Sequence, residues 1–216
     1  MLCFAEEIYL LALDEKTGKV MPEARYPVLG TVLIGAVLTE LKFLKKISTD
    51  KERLYIHDTS PTKSLILNEV LGIFLESRKK EADIDRVLQV LMAHAKRIEE
   101  LVLAELIEKG ILKEVDKKIL WIFPDRSYPL INDREIVAVE KRIREILLEG
   151  KEPGARDAAL ISLLRSSELF TKILTPAELE RCEERINELS ENCNIGQKID
   201  ELVYKIKDYT SYPPFI

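Results

Sequence analysis

The stretch Arg97–Leu130, RIEELVLAELIEKGILKEVDKKILWIFPDRSYPL, constrains the fold more than any other part of this 216-residue chain. Ile98, Leu101, Val102 and Leu106 recur at helical spacing, and Gly110 supplies a left-handed stop. Two apolar runs follow, with Asp116-Lys117-Lys118 expected as the turn between them. The expected returning strand, Ile119-Leu120-Trp121-Ile122-Phe123, is five apolar residues with no polar face and holds the only tryptophan. Such a strand is covered on both sides or presents a surface to a membrane or a second subunit.

Elsewhere helical periods dominate. Phe4–Leu13 predicts a first helix, closed by the turn Asp14–Gly18. Leu29–Lys46 predicts a long, mostly apolar central helix in which Gly30 and Gly35 permit close backbone approach. A first hairpin is expected over Ile47–Asp58, around Thr49-Asp50-Lys51. Further helices are expected over Ser64–Ser77, Asp83–Ala95, Lys96–Lys109, Asn132–Glu149, Arg156–Leu174, Thr175–Ser190 and Ile195–Lys207. Thr175 caps and Pro176 occupies the first position of the penultimate one. The expected fold class is therefore mainly α: a single-domain helical bundle over residues 1–216 with short β-hairpins, and a candidate hinge at 150–154 in Gly150-Lys151-Glu152-Pro153-Gly154.

Composition narrows the function classes. No apolar run approaches the roughly 20 residues that span a bilayer. The N-terminus has acidic flanks and no basic leader segment, so a cytoplasmic protein is expected. Cys3, Cys182 and Cys193 are odd in number and lack CxxC spacing, which argues for free thiols over disulfides or zinc. The net charge is −5, and Pro176–Glu201, with eight acids and three bases, carries an equal balance by itself. An acidic chain lacks the footprint that releases counterions from nucleic acid, so nucleic acid is an unlikely partner.

Signals for catalysis are weak. His57 and His94 are the only histidines and show no HxxxH or HExxH spacing. His57-Asp58 invites a dyad, but neighbours on a strand point to opposite faces. Glu6-Glu7 is more economically a pair of first-turn acids than a two-carboxylate site. No GxxxxGK[ST], GxGxxG or GxSxG occurs. Neither an enzyme nor a metal or other cofactor is expected. The basic runs Lys42–Lys46 and Arg78-Lys79-Lys80 are expected as solvated helix ends.

The runs AEEIYLLALDEKTG, GAVLTELKFLKKI, HDTSPTKSLILNEVL, LIEKGILKE, LWIFPDRSYPLIN and ARDAALISLL, in that order, resemble the Golgi phosphoprotein 3 family over roughly residues 3 to 175. The resemblance implies a largely α-helical fold with short hairpins. For the eukaryotic members it also implies a peripheral membrane protein that recognises phosphatidylinositol 4-phosphate and links Golgi glycosyltransferases to coatomer. Those members hold the phosphate with a tryptophan and an arginine before and within the second helix, and with two arginines three apart on the helix before the Glu-Lys-Gly turn. Anchored on Gly35, Glu40 and Gly110, these positions fall on Arg25, Ile34, Lys96 and Glu99. Only Lys96 keeps the expected chemistry: Ile34 offers no donor and Glu99 repels an anion. Arg25, Tyr26, Lys96 and Arg97 are the residues expected to rebuild a cationic headgroup pocket. Lys117, Lys118, Trp121, Ile122 and Phe123 are the expected membrane or subunit contact, and the 111–123 hairpin is the expected route to any homo-oligomer. The first helix begins almost at Met1, without the family's basic N-terminal extension, so coatomer binding is not expected to carry over. The leading expectation is a non-enzymatic peripheral membrane or adaptor protein on anionic phospholipid. The alternatives are a winged-helix-like nucleic-acid-binding regulator, disfavoured by Glu99, Glu100, Glu105 and Glu108 on the would-be recognition helix, and a scaffold without lipid affinity.

Overall fold

A computed structural model describes residues 2–24, 27–119, 123–191 and 193–211, with side chains described except at 23, 116–119, 123–126, 166, 205 and 207–211. The apolar periods of the sequence become helices packed around one core. α1 (Phe4–Ala12) is buried along its whole length. α2 (Val28–Phe43) is the central helix: it is mostly apolar, buried all round from Val28 to Thr39, and packs against α1, α5 (Ala95–Glu108), α7 (Ala155–Leu164) and α10 (Asn194–Ser211). At Gly35 the approach is closest, since a Cβ there would lie 2.5 Å from Ile199 Cγ1 and 3.0 Å from Leu163 Cδ2. The remaining helices are α3 (Leu65–Ser77), α4 (Ile84–Met92), α6 (Arg134–Leu148), the short α8 (Phe170–Ile173) and α9 (Pro176–Ser190).

Caps follow the sequence signals. Ser64 accepts from Leu67 N–H at the start of α3, and Asp83 from Arg86 N–H at the start of α4. Thr175 and Glu178 form a reciprocal capping box at α9. Gly110 takes φ 67° after α5. The expected continuous helix Arg156–Leu174 is instead interrupted. Arg165–Ser167 tightens to a 3-10 turn, Ser167 Oγ donates to the Leu164 carbonyl at 2.7 Å, and Glu168 adopts a left-handed φ of 59° before α8 begins.

The strands are short. β1 (Leu13–Asp14) and β2 (Lys19–Val20) turn the expected Asp14–Gly18 loop into a small hairpin, with Asp14 Oδ1 accepting from Thr17 N–H at 2.7 Å. β3 (Ile47–Thr49) and β4 (Arg53–Ile56) form the expected first hairpin, held by Asp50 Oδ1, which accepts from Arg53 N–H at 2.7 Å. A third strand, β5 (Glu81–Asp83), joins β4. Its three mostly polar residues carry no strand signal of their own, and pairing with β4 supplies the order.

The second hairpin has a different register from the one expected. β6 (Val115–Ile119) pairs antiparallel with β7 (Phe123–Ser127), from Val115 opposite Ser127 to Ile119 opposite Phe123. Asp116, Lys117 and Lys118 are therefore strand residues and not the turn, and Phe123 opens the returning strand instead of closing it. An unbroken apolar run does not by its hydrophobicity distinguish a strand from the connection between two strands. Trp121 and Ile122 lie outside the described residues. Among the described residues, no helix is long and apolar enough to cross a membrane.

Candidate functional site

Lys96 and Arg97 open α5, and both are exposed. Successive helix positions differ by about 100°, and the two side chains part accordingly. Lys96 lines an open cavity of about 320 Å³ shared with Tyr9, Gly18, Lys19, Glu99, Glu100 and Tyr128. Arg97 is absent from that lining and faces Glu100 at 3.6 Å. Lys96 thus lines the cavity and Arg97 reaches its edge only through Glu100. Arg25 and Tyr26 lie outside the described residues, as do the side chains of Lys117, Lys118 and Phe123.

The cavity exists because two turns meet. Gly18 adopts φ 65° and accepts a hydrogen bond from Tyr128 N–H at 2.7 Å. A Cβ at Gly18 would sit 2.6 Å from Pro129 N, so only glycine admits this approach. Tyr128 directly follows β7, so the root of the second hairpin forms one wall of the cavity. Tyr9 forms the floor, and burial pushes its phenol well above the usual tyrosine range. Tyr9, Lys19 and Tyr128 were not legible as site residues; the one hint was Gly18 at the end of an acidic turn.

The electrostatics are close to balanced. Lys19 and Lys96 contribute two cations and Glu99 and Glu100 two carboxylates. Burial pushes the Glu99 carboxyl up, Glu100 adds to the shift and Lys96 opposes it. Ile34 is 1% exposed in the middle of α2 and does not line this cavity.

Other candidate groups are absorbed by structure. His57 Nε2 lies 2.8 Å from Ser48 Oγ, while Asp58 accepts from Lys46 Nζ at 2.7 Å, so no dyad forms. Lys46 departs from the expected solvated helix end: it is buried and donates also to the Ser60 carbonyl and hydroxyl, whereas Arg78, Lys79 and Lys80 are exposed as expected. Glu6 does serve the start of α1, accepting from Cys3 N–H at 2.9 Å, but it and Glu7 are also buried ion-pair partners. Lys109 pairs with Glu6, and Arg142 bridges Glu7 at 2.9 Å and Asp157 at 2.6 Å. Arg156 holds Glu40 at 3.1 Å and stacks 4.0 Å over the Phe4 ring. This network ties α1 to α5, α6 and α7. Burial still pushes the Glu7 carboxyl up against the pull of Arg142 and Arg156. All three cysteines are free, and no cluster of metal-ligating side chains occurs among the described residues.

A family model described as Golgi phosphoprotein 3 (GPP34) matches residues 4–206. A search of curated proteins finds no match.

Proposed function

The chain belongs to the Golgi phosphoprotein 3 (GPP34) family, and from that premise we propose that it works without catalysis, as a cytoplasmic peripheral membrane adaptor that binds anionic phospholipid surfaces. The observation that carries the reading is the shared wall: the cavity holding Lys96 and Lys19 is closed by Tyr128, the first residue past the hairpin β6–β7. A headgroup-sized recess and a hairpin with an apolar sequence between its strands are thereby set side by side.

Each part has a physical contribution to make. The residues joining the two strands are Leu120-Trp121-Ile122, and an apolar side chain moved out of water contributes about 1.5–3 kcal/mol. Lys117, Lys118 and Arg126 outnumber Asp116 and Asp125 on the strands, and a base near an anionic surface contributes about 1 kcal/mol. The cavity adds two cations offset by two acids. Phosphatidylinositol 4-phosphate, the ligand implied by the resemblance, wants clustered forked donors. This charge balance supports the coarser preference, for anionic surface over any single headgroup.

Co-sedimentation tests the proposal, with vesicles of neutral lipid, of phosphatidylserine and of phosphatidylinositol 4-phosphate at matched charge, each at low and high salt. Salt-sensitive binding to both anionic sets, with a blue shift of Trp121 emission, is the expected result. Selective binding to the phosphoinositide alone would mean that Arg25 and Lys96 complete a forked site. Absence of binding to every vesicle, with a hairpin-dependent dimer in sedimentation velocity, would replace the membrane reading by a subunit contact.

A further inference from the structure

Away from the hairpin, α2, α7, the end of α9 and the start of α10 leave a slot of about 260 Å³. Its volume is roughly nine times that of a water molecule in the liquid. Ala155, Ala158 and Ala159 leave the space on one side, and Phe43, Leu189 and Ile195 face them. The Phe43 ring is braced from behind by Phe4, with centroids 5.5 Å apart.

One polar group in this apolar slot has no partner. Thr39 lines it, is 2% exposed, and its hydroxyl makes no hydrogen bond among the described residues. Two turns earlier on the same helix, Thr31 shows the ordinary solution, donating to the Pro27 carbonyl at 3.0 Å. A buried hydroxyl left without an acceptor is unfavourable, and a guest that brings one removes the penalty. Lys42 follows three residues later, hence on the same face of α2, half-buried at the slot and without an ion-pair partner among the described residues. Thr39 and Lys42 thus place a buried, unpartnered hydroxyl and an ammonium along one side of the slot, and apart from the Cys193 thiol the other lining side chains are hydrocarbon.

We infer that this slot binds a medium-chain fatty acid, its carboxylate held between Thr39 and Lys42 and its chain lying against Phe43, the α7 alanines and Ile195. The site is separate from the membrane contact proposed above and stands whether or not that contact exists.

Cys193 makes the inference testable, because its half-buried thiol lines the same slot while Cys3 and Cys182 do not. Alkylation by N-ethylmaleimide is followed at each thiol by peptide mass spectrometry, with monomeric decanoate, with decanol, or with neither, and with no vesicles present. At a decanoate concentration about ten times its Kd, Cys193 alkylation should slow about tenfold, with Cys3 and Cys182 unaffected and decanol protecting less. Ala158→Leu, which fills the slot, should abolish protection by both. Lys42→Gln, on the half-exposed end of α2, should remove the advantage of decanoate over decanol and leave the fold intact. Equal protection by decanoate and decanol in the parent protein would overturn the anionic headgroup, and absence of protection, or protection spread over all three thiols, would overturn the site.

Discussion

Arg144 grips Glu178 at two points, with Nη2 2.6 Å from Oε1 and Nη1 3.2 Å from Oε2, while Nη1 also donates to the Ile173 carbonyl at 2.7 Å. Glu178 is at the same time the third residue of α9 and accepts from Thr175 N–H at 2.9 Å. One carboxylate therefore fixes both the start of α9 and its docking on α6. The Arg144 hydrogen bond, followed by that of Thr175, holds its pKa at about 2, against an ordinary value of 4.5. A carboxylate depressed by folding contributes stability above its unfolded pKa and loses it as pH falls through the folded one. Glu178→Gln should therefore melt below the parent at neutral pH. The gap should narrow between pH 4.5 and 2 in circular-dichroism melts; a gap of constant size across that window would show that Glu178 acts only through shape.

Glycine positions separate contact from propensity. At Gly196 a Cβ would meet Ser162 Oγ at 2.0 Å, and at Gly35 it would meet Ile199 Cγ1 at 2.5 Å. Gly35→Ala and Gly196→Ala should each cost about 1–3 kcal/mol by forcing α10 away from α2 or α7. Gly72, inside α3, has nothing within 4 Å of the same position. Gly72→Ala should stabilise by about 0.5–1 kcal/mol, because only the helix propensity changes. Urea denaturation midpoints measure all three, and shifts of one sign in all three would show that contact at these glycines does not decide their effect.

Local chemistry was legible in the sequence and long-range chemistry was not. The Thr175-Pro176 start, the Gly110 stop and the apolar period of α2 each depend on residues within a turn or two, and each stands as expected. The β6–β7 register depends on which residues face each other across the ribbon, and an unbroken apolar run offers no alternation to fix it. Strand β5 exists only through β4. Likewise Arg142 and Glu7, 135 residues apart, carry no mark of each other in a single sequence. The cavity beside the second hairpin meets the same limit, since Tyr9 and Tyr128 are distant in the chain and share its lining.

Ile34 bears on how far family chemistry transfers to this chain. It occupies the position where the resemblance implies an arginine on the second helix, yet it is 1% exposed between neighbouring helices. Ile34→Arg should not build a headgroup pocket; it should bury an unpaired cation and abolish cooperative unfolding. Ile34→Ala, which leaves only a cavity, should retain the fold at a cost of about 2–5 kcal/mol. Thermal melts of the two variants distinguish these outcomes, and a folded Ile34→Arg protein with raised affinity for anionic vesicles would show that this face of α2 opens to the membrane.

Glu99 sets the charge of the cavity beside the hairpin. It lies three residues after Lys96, hence on the same face of α5, and burial pushes its carboxyl above the ordinary range, with Glu100 adding to the shift. Removing its charge near an anionic surface is comparable to adding a base there, about 1 kcal/mol or about fivefold in partitioning. Glu99→Gln should therefore bind phosphatidylserine vesicles about fivefold more tightly at low salt, on the same per-charge scale, with neutral vesicles unaffected. The parent protein should show the same gain through pH. A raised folded pKa means that Glu99 takes up its proton before ordinary carboxylates do, so binding should strengthen as pH falls toward the carboxylate range. Glu99→Gln should flatten that part of the profile, and Lys96→Gln should weaken binding at every pH. If Glu99→Gln changes neither the partitioning nor its pH dependence, the cavity plays no part in the contact and the hairpin makes it alone.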